Sequence, residues 1–183
     1  MIKLLLLCLT FVVALPHLGA QPHEIFGGVT VARMKPDLDS NQATLNGWNS
    51  SFTTYLHPRF GLTADVAGFY GNAHPEPSLA PVSVRQHSVL GGPQFRLFRT
   101  ARVETSVRAL FGLAHGSVED TTYSNANRNS FAALIGSNFD VNLSRHVALR
   151  FSPGMYLTQY GSGTERNFRI SVGPVFRFGG REE

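Results

Sequence analysis

The side chains with the clearest chemical potential are charged and lie far apart along the chain. Asp65, Arg96, Glu104, Arg108, Asp140, Arg150 and Arg169 sit in stretches otherwise made of apolar or small residues. An ionised group left there without a partner costs roughly 3 to 5 kcal/mol, so a stable fold has to gather these groups into pairs. Glu104, Arg108, Asp140, Arg150 and Arg96 form the centre of the expected network, with Asp65 and Arg169 nearby. A second candidate is His115-Gly116-Ser117. A histidine two residues before a serine has the parts for acyl transfer, imidazole as base and hydroxyl as nucleophile, provided that a third group such as Glu119 orients the ring. That spacing arises often by chance. His57, His74, His87 and His146 show no metal-ligand spacing, and the only cysteine is Cys8, so it has no thiol partner for a metal site. The glycines are isolated or paired within apolar stretches and build no phosphate-binding loop. No catalytic, cofactor-binding or metal-ligating residue is therefore assigned.

Strands must position the charged set. Helical periodicity is nearly absent, whereas stretches of about ten residues with period-two alternation recur between Gly, Pro, Asn, Asp and Ser clusters. Eight are expected, roughly at 24–33, 46–56, 61–70, 87–97, 103–114, 130–143, 147–160 and 167–178. In the fifth, Val103, Thr105, Val107, Ala109, Phe111 and Leu113 share one face, and Glu104, Ser106, Arg108, Leu110, Gly112 and Ala114 the other. The sixth, seventh and eighth repeat the pattern. A glycine and a phenylalanine also recur on opposite faces in Gly92-Pro93-Gln94-Phe95, Gly136-Ser137-Asn138-Phe139 and Gly173-Pro174-Val175-Phe176. One repeat per hairpin fits an up-and-down meander. Short links at 57–59, 99–101 and 144–146 alternate with long ones at 34–45, 71–86, 115–129 and 161–166. Short turns on one rim and long polar loops on the other are the pattern of outer-membrane barrels, with the short turns facing the periplasm. Pro93 and Pro174 interrupt two strands of a barrel that has no free edge. Each follows a glycine and is expected to form a local bulge.

A soluble eight-stranded barrel shows the same alternation with its apolar residues turned inward. Here the face opposite the apolar one carries Asp65, Gln94, Arg96, Glu104, Arg108, Asp140, Arg150, Arg169 and Arg177 among Gly, Ala, Ser and Thr. Small residues with opposed charges suit a narrow lumen, which in eight strands is just wide enough to be filled by side chains. A water-facing surface would carry lysine, and after residue 20 only Lys35 remains. Tyr55, Phe60, Phe69, Tyr70, Phe98, Tyr160 and Phe178, near strand ends, are expected to face lipid at the two interfaces as aromatic girdles.

The start of the chain explains how such a barrel is exported. Lys3 precedes an apolar block from Leu4 to Leu15, which breaks at Pro16 and reaches Gly19 and Ala20. This is the pattern of a cleaved signal peptide, residues 1–20, and the block is too short to span a bilayer as a helix. Residues 21–183 then form one domain without cysteine, so no disulfide contributes to its stability. Nothing after residue 20 approaches a transmembrane helix, and any membrane crossing is by strands. The net charge of +4 is spread along the chain without a Lys/Arg run, which gives no support to a nucleic-acid partner.

Signal peptide, eight amphipathic strands, alternating links and the ending Val172-Gly173-Pro174-Val175-Phe176-Arg177-Phe178 resemble the small outer-membrane β-barrel domain proteins of the OmpA/OmpX type. The fold class expected is all-β: an eight-stranded antiparallel up-and-down transmembrane β-barrel. The resemblance implies location in a bacterial outer membrane, contact with outer-membrane lipids and lipopolysaccharide, and insertion by the barrel-assembly machinery. It implies a monomer without cofactors, and it names no surface ligand. The chain departs from relatives that end on an aromatic residue, because Gly179 to Glu183 follow Phe178. A structural, adhesive or surface-interaction role with a lumen plugged by charged pairs is the leading expectation. Two alternatives stand beside it: a soluble secreted lipocalin-like barrel for a small apolar ligand, and a lipid A-modifying enzyme, since lipid A deacylases carry a His-x-Ser pair like that of His115 and Ser117.

Overall fold

A computed structural model describes residues 22–34, 43–73, 82–119, 126–160 and 163–179. Eight strands run in chain order: β1 (His23–Met34), β2 (Ala43–His57), β3 (Phe60–Ala73), β4 (Val82–Arg99), β5 (Val103–Glu119), β6 (Ala126–Asn142), β7 (Val147–Tyr160) and β8 (Gly163–Phe178). Each pairs antiparallel with its sequence neighbour, and β1 pairs with β8 to close the barrel. The expected architecture is thus present, strand for strand. Most strands extend beyond the expected bounds toward the long loops, by five residues in β4 and four in β6. There the backbone ladder continues after the apolar alternation has ended. The expected segment 1–20 lies outside the described residues.

The side-chain period of two makes each strand of the closed sheet send alternate residues to opposite faces. On β5, Glu104, Ser106, Arg108 and Leu110 are buried, while Phe111 and Leu113 on the other parity are exposed. The same division holds in every strand. Val29, Leu113 and Val89 are 70%, 66% and 62% exposed on the outside. A continuous apolar exterior of this kind is covered by hydrocarbon, and strands cross hydrocarbon only as closed barrels.

The prolines correct one expectation. No register shift occurs at Pro93 or Pro174, so neither forms a bulge. The β4–β5 ladder instead breaks off at Gly91↔Phe111 and resumes in register at Gln94↔Arg108. The β8–β1 ladder does the same between Val175↔Phe26 and Val172↔Val29. Pro153 makes a third such break, where β6–β7 skips from Gly136↔Gly154 to Phe139↔Phe151. On the other side each proline stays paired, as Leu62↔Pro93, Pro153↔Ile170 and Leu149↔Pro174. A missing donor therefore costs a short gap in one ladder and no slip. The register shifts that do occur lie near short turns, between Tyr55 and His57 and between Arg96 and Phe98.

Candidate functional site: a charged lumen

The inner face is stratified. Nearest the short turns, a tier of charge is built from six strands. Arg150 on β7 donates from Nε to Asp140 Oδ1 at 2.7 Å and from Nη2 to both Asp140 Oδ2 and Glu24 Oε2 at 2.7 Å. Arg177 on β8 donates to Glu24 at 3.2 Å and to Asp140 Oδ2 at 2.7 Å. Arg96 on β4 donates to Glu104 on β5, to Glu24 Oε1 at 3.4 Å and to the carbonyl of Pro58 at 2.8 Å. All six side chains are at most about a tenth exposed, so their Coulomb attraction is little screened by water. Three carboxylates, those of Glu24, Glu104 and Asp140, approach within 4.8 Å of one another. Guanidinium groups already hold them, so a cation has little to gain there.

Above this tier lies a second, polar one. Asp65 on β3, fully buried, receives both Nη groups of Arg169 at 3.0–3.1 Å, Nη1 of Arg108 at 3.2 Å and Nδ2 of Asn49 at 3.0 Å. Arg108 also donates to Ser152 Oγ at 2.8 Å, which donates to Asn138 Oδ1 at 2.7 Å. Asn138 and Thr63 both donate to Gln94 Oε1, and Gln94 Nε2 donates to Tyr55 Oη at 2.7 Å. Nine inward side chains are thereby tied into one connected set of bonds.

The third tier, toward the long loops, is largely apolar, although Ser88, Ser130, Thr158 and Asn167 are buried at the same level. Leu45, Phe69, Leu90, Leu110, Leu134 and Tyr156 pack there with Ala32, Ala67, Ala114 and Ala132. Phe69 and Tyr156 face each other with ring centroids 5.9 Å apart. Tyr156 receives a hydrogen bond from Gln86 at 3.1 Å.

Every charged residue picked from the sequence, Asp65, Arg96, Glu104, Arg108, Asp140, Arg150 and Arg169, thus points inward, and each has an oppositely charged partner. They fall into two groups rather than one. Glu24, which the sequence reading missed, and Arg177, which it placed on the inner face but outside the network, complete the first tier. Parity was the available signal for Glu24, since Ile25, Val29 and Val31 occupy the opposite face of β1.

Two of the expected girdle aromatics are corrected. Tyr55 and Phe69 are 1% and 0% exposed and lie in the lumen. Tyr55 stacks beneath the Arg96 guanidinium, 3.8 Å from its ring centroid, and Phe69 lines the apolar tier. Both belong by parity to the faces of Thr53 and Asp65, so their positions near strand ends were the wrong guide. Tyr70, Phe98 and Phe178 do point outward. Phe60 is half-buried against Phe95, at 5.0 Å between centroids. The side chain of Tyr160 lies outside the described residues. Trp48, not expected in the girdle, faces outward beside Tyr70, to whose hydroxyl its Nε1 donates at 3.4 Å. That hydroxyl also lies 3.0 Å from His87 Nε2.

His115 and Ser117 share the outer face of β5. His115 Nδ1 meets Asn129 Oδ1 at 2.7 Å, and among the described residues no hydrogen bond joins the histidine to Ser117. The side chain of Glu119 is outside the described residues.

No protein-family model matches the chain, and no curated protein matches it. Solved structures do share its fold. Ail, the attachment invasion locus protein of Yersinia pestis, superposes with a TM-score of 0.63 at 18% identity, covering 87% of this chain and 99% of that one. Ail has also been solved in complex with the heparin analogue sucrose octasulfate. Neisserial surface protein A gives 0.69 at 13% identity over 85% and 97% of the two chains. The outer membrane protein OprG from Pseudomonas aeruginosa gives 0.57 at 13% over 88% and 97%. At such identities the likeness is one of fold: the small, eight-stranded outer-membrane β-barrel. An apolar exterior around a polar interior suits that setting, and the soluble lipocalin-like alternative, which needs the reverse, fails on this geometry.

Proposed function

We propose that this outer-membrane barrel is a non-conducting surface protein, structural or adhesive, whose bore is blocked by its own side chains. Observations of the lumen support the reading. Ion pairs in one tier, a hydrogen-bonded relay in the next and a largely apolar layer of Leu, Ala, Phe69 and Tyr156 above set buried side chains in the path of an ion at every level. An ion entering from either rim must break buried guanidinium–carboxylate pairs or cross a layer of Leu, Ala and Phe69, and both are costly. Planar-bilayer recording on the refolded protein tests the blocked bore. Only rare, short openings are expected, whereas long-lived single-channel currents would refute it.

The long loops then carry whatever interaction the protein makes. Likeness to an attachment protein favours a role in adhesion at the cell surface. Outer-membrane lipids and lipopolysaccharide are the proposed surroundings of the belt, with Trp48, Tyr70, Phe98 and Phe178 seated at its interfaces. In this reading the segment 1–20 is a signal peptide that is removed, and the barrel is inserted by the assembly machinery as a monomer. Catalysis plays no part in it. Unchanged lipid A after deletion of the gene is expected, and a change in its acylation that Ser117→Ala abolishes would overturn that statement.

A further inference from the structure

The rim that carries the short turns is basic and holds no described carboxylate at its surface. Arg59 lies between β2 and β3, Arg102 between β4 and β5, and Arg145 between β6 and β7. All three are exposed, and among the described residues none has an ion pair. His57 and His146 flank two of them. The four carboxylates whose side chains are described, Glu24, Asp65, Glu104 and Asp140, are all buried in the lumen and matched there by other arginines. Nothing described on this rim neutralises the three guanidinium groups.

Their height identifies what meets them. The three turns span only residues 58–59, 100–102 and 143–146, and a strand advances only about 3.3 Å per residue. Exposed apolar side chains stand at or within two residues of them: Leu56, Phe98 and Leu143 are 50%, 57% and 69% exposed. Such side chains belong in hydrocarbon, so the arginines one or a few residues away lie in the adjoining headgroup plane. A turn this short does not carry them out into bulk solvent. Three planar, permanently charged donors spaced around the barrel at that depth match phosphodiester headgroups, which guanidinium binds in a two-pronged fashion.

We infer that the short-turn rim is a binding ring for anionic phospholipid headgroups of the periplasmic leaflet, with Arg59, Arg102 and Arg145 as its contacts. The inference rests on the membrane reading above and adds a lipid preference to it. Anionic lipid gathered at that rim would fix the depth of the barrel on the side opposite its long loops, because each arginine adds surface attraction that falls off within a Debye length.

The test uses the full chain folded into phosphatidylcholine vesicles that contain a minority of phosphatidylglycerol. The protein is extracted with its bound lipid by an amphipathic polymer, and the ratio of the two lipids around it is compared with that of the bulk. Phosphatidylglycerol is expected to be enriched, and the R59Q/R102Q/R145Q variant to lose that enrichment by about fivefold or more. A variant of the opposite rim, R33Q/R166Q, is expected to keep it. Heat-modifiable migration on unboiled gels reports that each variant is folded. The inference is overturned if the triple variant keeps the wild-type ratio, or if the opposite-rim variant loses as much. Retention of soluble polyglutamate without lipid enrichment would reassign the ring to an acidic polymer and likewise overturn it. A chain that never enters the vesicles would instead bring down the membrane reading itself.

Discussion

Asp65 shows how much rests on single residues in this barrel. One fully buried carboxylate serves two arginines, Arg108 and Arg169, and Asn49 closes its remaining side. Asp65→Asn keeps the size and removes the charge, leaving two guanidinium groups without an anion. A loss of about 3 to 5 kcal/mol is expected from urea titration of the protein folded in vesicles, and a loss below about 1 kcal/mol, the size of an ordinary hydrogen bond, would show that the pairs are not desolvated. The sequence made these charges legible because parity alone separates Asp65, Glu104, Arg108, Asp140, Arg150 and Arg169 from the apolar face. It did not reveal their grouping. Arg150 meets Glu24 across 126 positions of chain, and such a pair depends on the stagger at the β1–β8 closure, which no local pattern encodes. Tyr55 and Phe69 were misplaced for a different reason: an aromatic near a strand end satisfies both an interface and a lumen, and only its parity tells them apart.

Among the strands, the recurring glycine–phenylalanine pattern acquires a physical meaning. Gly92 and Gly173 precede the prolines at which ladders break, and a Cβ at either would run into a backbone carbonyl of the facing strand, that of Ala109 or Gly27. The two strands approach so closely that only hydrogen fits between them, and each ladder resumes in register beyond its proline. Gly92→Ala and Gly173→Ala should each destabilise the folded barrel by about 1 to 3 kcal/mol. Gly27→Ala, whose Cβ meets nothing within 4 Å, should change it little. Thermal shift of heat-modifiable migration compares the three, and equal effects would contradict a close approach. The sequence marked these places correctly as unusual and misjudged their form, since a Gly-Pro pair reads the same whether it builds a bulge or a gap. Strand ends were short in the sequence reading because alternation fades where both faces become polar, although backbone pairing carries on.

For the whole molecule, fold and orientation were legible because one rule, alternate residues facing alternate media, is repeated through eight strands. The tiers were not. Leu45, Leu90, Leu110 and Leu134 belong to the inward faces and look, strand by strand, like exceptions to a polar lumen; only the assembled barrel stacks them into an apolar layer. The exterior carries the strongest consequence. Val29→Arg, at the most exposed of the large apolar positions, should cost about 2 to 4 kcal/mol in vesicles if it lies near the bilayer midplane, whereas a water-facing site would tolerate it. The most direct test of an outward apolar face uses the single tryptophan of the chain, Trp48, which is 43% exposed on the outer side. With the protein folded in vesicles of brominated phosphatidylcholine, its fluorescence should be strongly quenched and little affected by aqueous acrylamide. Strong quenching by acrylamide with none by the brominated chains would contradict the placement of this face in lipid.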